Sequence, residues 1–185
     1  MDKNKKLINT LVDIALFAAI TLLFHRLWWQ NAVWIKSIPF MANSALWLAH
    51  QVFLASSWID KHILFISITK GADNLMMFSN GGYIRIEESC SGLKQMYQLF
   101  FLFLLFPGPW KHKTWFIPTT FVVMFFTNIF RILILSGAVL YLPSHWDFIH
   151  LWIMRPFYYL VIFLLWVWWE EKFHTSNNHS MSYQL

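Results

Sequence analysis

Apolar residues fill four long stretches of the chain, 7–27, 93–109, 115–141 and 148–169, while most charged residues, prolines and glycines collect between them. About 20 apolar residues in helical conformation cover a hydrocarbon core of about 30 Å, so the pattern predicts four membrane-spanning helices. A further apolar run, 44–59, carries His50 and Gln51 in its middle and is bounded by Pro39 and by Asp60-Lys61-His62. At ~16 residues it reaches only about 24 Å and reads as an interfacial or re-entrant helix; a full crossing would raise the count to five.

Between 63 and 89 the pattern changes. Short β-branched and aromatic runs are interrupted by Lys70-Gly71-Ala72-Asp73 and by Asn80-Gly81-Gly82. The second interruption suits a tight turn, because its residues accept positive φ, so 75–79 and 83–87 are expected to pair around it as a β-hairpin. The unpaired edges of a hairpin need water or protein, which places it outside the bilayer, capping the helices. Period-two alternation puts Ile84, Ile86, Glu88 and Cys90 on one face, with Arg85 and Glu87 on the other.

Composition narrows the class. At 58% hydrophobic, 20% aromatic and 12% charged, the chain lies outside the balance of a soluble domain. The expected fold is a single all-α integral membrane helical bundle of about four to five transmembrane helices, with a small extracytoplasmic β-hairpin over 63–89. The net charge of +5 comes from basic residues placed mostly at the ends of apolar runs. They read as orientation signals rather than a nucleic-acid surface. Lys3, Lys5 and Lys6 put the N-terminus in the cytoplasm, Lys111-His112-Lys113 mark a cytoplasmic turn, and 170–185 forms a cytoplasmic tail. Cys90 then faces the outer side. The first apolar run lacks a small-residue cleavage site and reads as a retained anchor.

Against this background the polar residues inside apolar runs stand out. Cys90 is the single cysteine, so it forms no internal disulfide. A chemical role for it is that of a nucleophile, a redox group or a metal ligand; otherwise it is a small buried apolar residue. Asn128 and Arg131 lie three positions apart, hence on one face of their helix, and a bilayer arginine costs about 2.5 kcal/mol or more unless it is paired, hydrated or functional. Thr127 and Asn128 are placed to hold its guanidinium. Ser91, Lys94, Gln95 and Gln98 form a polar stripe leading away from Cys90. His150 lies near the outer start of the last span, at a height that Arg131 approaches, whereas His145 sits in the preceding loop beside Asp147. Arg155, five positions after His150 and more than 90° around an α-helix from it, is expected to serve a separate partner near the Pro156 kink. No cofactor is expected, and His50 has no companion at metal-ligand spacing.

The ordered set Glu88-Ser89-Cys90-Ser91-Gly92-Leu93, then Asn128-Ile129-Phe130-Arg131, then His150 resembles the exosortase and archaeosortase family of membrane transpeptidases, over residues 83–169. That resemblance implies a protein of the bacterial or archaeal cytoplasmic membrane that recognises a C-terminal sorting signal: a short motif, a transmembrane helix and a basic end. It implies cleavage at the outer face and transfer to a surface acceptor such as a lipid or glycan. The chemistry of the residues agrees. Cys90 would attack the scissile carbonyl to give a thioester, which a second nucleophile resolves. Glu87 and Glu88 disfavour a thiolate, so a cation, Arg131 or protonated His150, must offset them. Arg131 would also stabilise the oxyanion, and His150 would take the thiol proton or protonate the leaving amine. Glu88 and Asn128 would support these three. A non-catalytic membrane scaffold would tolerate Cys90→Ala, and a small transporter would show uptake independent of Cys90.

Overall fold

The computed structural model describes residues 3–174, with side chains described over 7–173. The side chains of Lys3, Lys5 and Lys6 and the tail 175–185 lie outside the described residues. Helix α1 (Lys3–Gln30) leads through a short α2 (Ala32–Ser37) into α3 (Pro39–His62). Three strands follow, β1 (Ile68–Gly71), β2 (Leu75–Phe78) and β3 (Tyr83–Arg85), then a 3-10 turn at Glu88–Cys90. Helices α4 (Leu93–Leu105) and α5 (Trp110–Tyr141) come next, and a C-terminal helical segment runs from Pro143 to Phe173. Among the described residues three helices are long and apolar enough to cross a bilayer: Leu7–Gln30, Trp110–Tyr141 and Pro143–Phe173.

Two elements differ from their expected lengths for readable reasons. Helix α4 has 13 residues rather than filling 93–109, and at about 20 Å it is shorter than a hydrocarbon core. It stops because Phe106, at φ −69 and ψ 141, precedes Pro107, whose ring disfavours helical geometry at the residue before it. Helix α3 has 24 residues instead of ~16. Pro39, taken as a boundary, is its first residue, where the missing N–H costs nothing.

The expected hairpin is a three-stranded antiparallel sheet of order β1-β2-β3. The stretch 70–73, expected to interrupt, ends β1 and begins a turn in which Asp73 and Asn74 adopt φ of 54 and 55. Their short polar side chains tolerate that left-handed geometry. Alternation along β3 buries Ile84 and Ile86 and exposes Arg85 and Glu87.

Two apolar clusters hold these parts together. One joins α4, α5 and the C-terminal helix through Leu99, Leu102, Phe103, Phe116, Trp166 and Trp169, and α1 packs on it with Phe17 4.7 Å from Trp166 between ring centroids. The other seats Met76, Ile84 and Ile86 of the sheet on Ala49, Val52 and Phe53 of α3 and on Ile132, Leu135 and Val139 of α5. The 3-10 turn at Glu88–Cys90 lies between them, with Cys90 packed against the second cluster and Leu93 against the first.

Candidate active site

The 3-10 turn closes when the Cys90 N–H donates to the Glu87 carbonyl (2.9 Å) and the Ser91 N–H to that of Glu88 (3.1 Å). Gly92 then reverses the chain into α4 at φ +82, a conformation open to glycine. A Cβ at Gly92 would stand 3.3 Å from Nδ2 of Asn128. That closeness lets the Asn128 amide donate to the Cys90 carbonyl (2.6 Å), while Tyr158 donates its hydroxyl to Oδ1 of the same amide. Helix α5 therefore grips the turn through Asn128, and the C-terminal helix grips Asn128. Neither Asn128 nor Thr127 holds the guanidinium as expected: Asn128 is committed to the turn, and Thr127 donates to the Val123 carbonyl (2.8 Å).

Arg131, half-buried on α5, donates from a terminal nitrogen to Nε2 of His150 (2.9 Å). A guanidinium has only donors, so His150 accepts there and carries its proton on Nδ1. The Arg131 guanidinium also lies 5.5 Å from the centre of the Tyr158 ring, within cation–π range. Its Nε is buried with no partner among the described residues.

Cys90, Glu88, Arg131 and His150 share the wall of one cavity of about 460 Å³ with Ser91, Lys94, Gln95, Tyr158 and the end of α1. Asn128 lies behind the wall, fully buried. His145 is absent from the wall; it is exposed and pairs with Ser144 at 3.0 Å. Lys94 reaches His25 at 3.5 Å and lies over the Trp29 ring at 4.7 Å. Lys36, Lys94, Arg131 and Arg155 face the cavity against the single carboxylate of Glu88. Cations thus outnumber carboxylates on the wall, which makes the cavity electropositive and suited to an anionic group.

The expected separation of Arg155 from His150 is overturned, because both line the cavity. Residues 149–154 form a π-helical turn. Bonding i to i+5 brings positions five apart onto one face, which a 3.6-residue period does not foresee. The same unwinding aligns Tyr158 with His150. Tyr158 is not among the residues expected at the site, although a tyrosine inside an apolar span, in the run Arg155-Pro156-Phe157-Tyr158, is itself a signal of a hydroxyl needing a partner.

The family description for transmembrane exosortases matches residues 6–169 of the 185. The chain belongs to the transmembrane exosortase family. No curated protein and no solved structure matches it. The matched range extends beyond 83–169 into the N-terminal half, and it contains every residue of the cavity wall of this exosortase, from His25 to Tyr159.

Proposed function

We propose that this exosortase is a membrane cysteine transpeptidase acting on C-terminal sorting signals at the outer membrane face. The observation that carries the proposal is the convergence of Cys90, Arg131 and His150, from three separate elements, on one cavity. Binding of the scissile carbonyl draws Arg131, with its unpartnered Nε, toward the oxyanion and frees Nε2 of His150. The imidazole then takes the Cys90 proton as the sulfur–carbon bond forms. Collapse of the tetrahedral intermediate breaks the carbon–nitrogen bond, and the amine leaves with a proton from His150. An amine or hydroxyl of a surface acceptor next attacks the thioester, releasing the product and restoring the thiol. Asn128 keeps the Cys90 turn in place, and Glu88 lies at the rim among the cations.

The test follows processing of a purified sorting-signal peptide in detergent. Cys90→Ala and Cys90→Ser are expected to abolish it, since a serine hydroxyl leaves almost no alkoxide at neutral pH. Arg131→Lys should lose at least about 100-fold, because an ammonium cannot reproduce two donors in fixed geometry. His150→Ala should be severely impaired and partly rescued as pH approaches the free-thiol value of about 8.5, with His145→Ala close to the parent. Full processing by Cys90→Ala would refute the enzyme reading in favour of a scaffold, and an inactive His145→Ala beside an active His150→Ala would move the base to the loop.

A further inference from the structure

The sheet leaves the outer edge of β3 unpaired, and that edge runs straight into the nucleophile turn. Strand β3 pairs with β2 in the register Leu75↔Arg85, Met76↔Ile84 and Met77↔Tyr83. The Phe78 N–H donates to the Gly82 carbonyl (2.9 Å) and the Ile86 N–H to that of Asn74 (3.1 Å). Antiparallel pairs alternate between bonded and non-bonded, so Gly82, Ile84 and Ile86 direct their main-chain groups toward β2. Tyr83, Arg85 and Glu87 direct theirs away from it. The Glu87 carbonyl is taken by Cys90. Among the described residues nothing pairs with the N–H and C=O of Tyr83 and Arg85 or with the N–H of Glu87.

We propose that this free edge, residues 83–87, binds the substrate's main chain beside the scissile bond as a fourth strand. The proposal rests on the transpeptidase reading of Cys90 and adds to it a mode of substrate recognition. Three features favour an extended polypeptide as the occupant. The edge stays extended through Glu87, at φ −85 and ψ 174, and presents alternate donor and acceptor groups, the pattern that an added strand matches. It is held rigid through one face of the sheet, because Ile84 and Ile86 are buried on α3 and α5, while Tyr83, Arg85 and Glu87 on the other face are exposed. It also ends at the chemistry. Cys90 is three positions after Glu87, at most about 11 Å of chain, so a peptide paired with 83–87 delivers its next residues to the cavity. The sheet's other free edge, on β1, leads into β2 and not to the thiol.

Main-chain recognition also fits the polarity of the groups involved. Each edge N–H and C=O is hydrated or must be bonded, and a peptide supplies both partners at the spacing of every second residue. Side chains of the peptide then alternate between the protein and solvent, so the edge fixes register and leaves choice of side chain to the cavity.

The experiment uses the full-length protein in detergent and a synthetic sorting-signal peptide that the parent cuts and Cys90→Ala does not. Single backbone N-methyl groups are placed one at a time through the residues flanking the scissile bond. Loss of a main-chain hydrogen bond is expected to cost about tenfold in kcat/KM at alternate positions, with intervening positions within about threefold of the unmodified peptide. Arg85→Pro removes one outward N–H, a place where an edge strand tolerates proline, and is expected to fall about tenfold below Arg85→Ala. Equal tolerance of N-methyl groups at all positions outside the scissile bond would overturn the proposal. So would equal kcat/KM for Arg85→Pro and Arg85→Ala with both folded by circular dichroism, while the peptide series decides the matter should the proline variant not fold. A parent protein that leaves the peptide uncut would overturn the transpeptidase reading itself, and the edge proposal with it.

Discussion

Tyr158 joins the two halves of the site. Its hydroxyl orients the Asn128 amide, which holds the Cys90 carbonyl, and its ring lies beneath the Arg131 guanidinium. Tyr158→Phe keeps the ring and removes the hydroxyl, leaving a buried amide oxygen without its donor at a cost of about 1–3 kcal/mol. Processing is therefore expected to fall roughly tenfold or more while the Asn128→Ala background cancels most of that difference, because the hydroxyl acts through the amide. A Tyr158→Phe protein within twofold of the parent would show that the amide keeps its orientation unaided. Arg155 carries a related lesson: its charge was legible, but its place beside His150 depended on a local departure from α-helical pitch.

At the scale of elements, polar residues at the ends of apolar runs tie segments together. Lys113, expected at a cytoplasmic turn, is 4% exposed, and its ammonium donates to the carbonyls of Leu104 (3.1 Å) and Phe106 (2.7 Å) at the end of α4. It serves the carbonyls that a helix end leaves unpaired. Asp60, at the end of α3, is fully buried and accepts a hydrogen bond from Ser136 of α5 (2.7 Å), with its other oxygen unpartnered among the described residues. Burial, opposed by the Ser136 bond, raises this carboxyl from its ordinary 3.8 to about 6. Because the folded value lies above the unfolded one, ionisation destabilises the fold: the penalty is absent below about pH 4, grows to about pH 6 and is complete above it. Asp60→Asn is thus expected to raise the thermal midpoint at pH 8, by at most about 3 kcal/mol of stability, and to give no such gain at pH 4. Equal effects at both pH values would show that Asp60 does not ionise against the fold.

For the whole molecule, the transpeptidase reading requires the sheet and the Cys90 turn on the outer side and the α4–α5 turn in the cytoplasm. In a Cys90→Ala background, Tyr83→Cys is expected to react with an impermeant thiol reagent in intact cells and Lys111→Cys only after permeabilisation. The reverse pattern would invert the orientation and remove the outer-face site. The membrane class and most helices were legible in the sequence because the length of an apolar run is a local quantity compared directly with the thickness of a bilayer. The polar residues that line the cavity stood out for a similar reason: cysteine, arginine and histidine within apolar runs need partners wherever they lie. Partnership itself is not local. The pairing of β1 with β2, the capping of α4 by Lys113, the grip of Tyr158 on Asn128 and the turn of Arg155 into the cavity each depend on atoms brought close by packing or by a change of helical pitch. A hydrophobicity pattern with a fixed 3.6-residue period carries no information about either, so these features were decided by the tertiary structure alone.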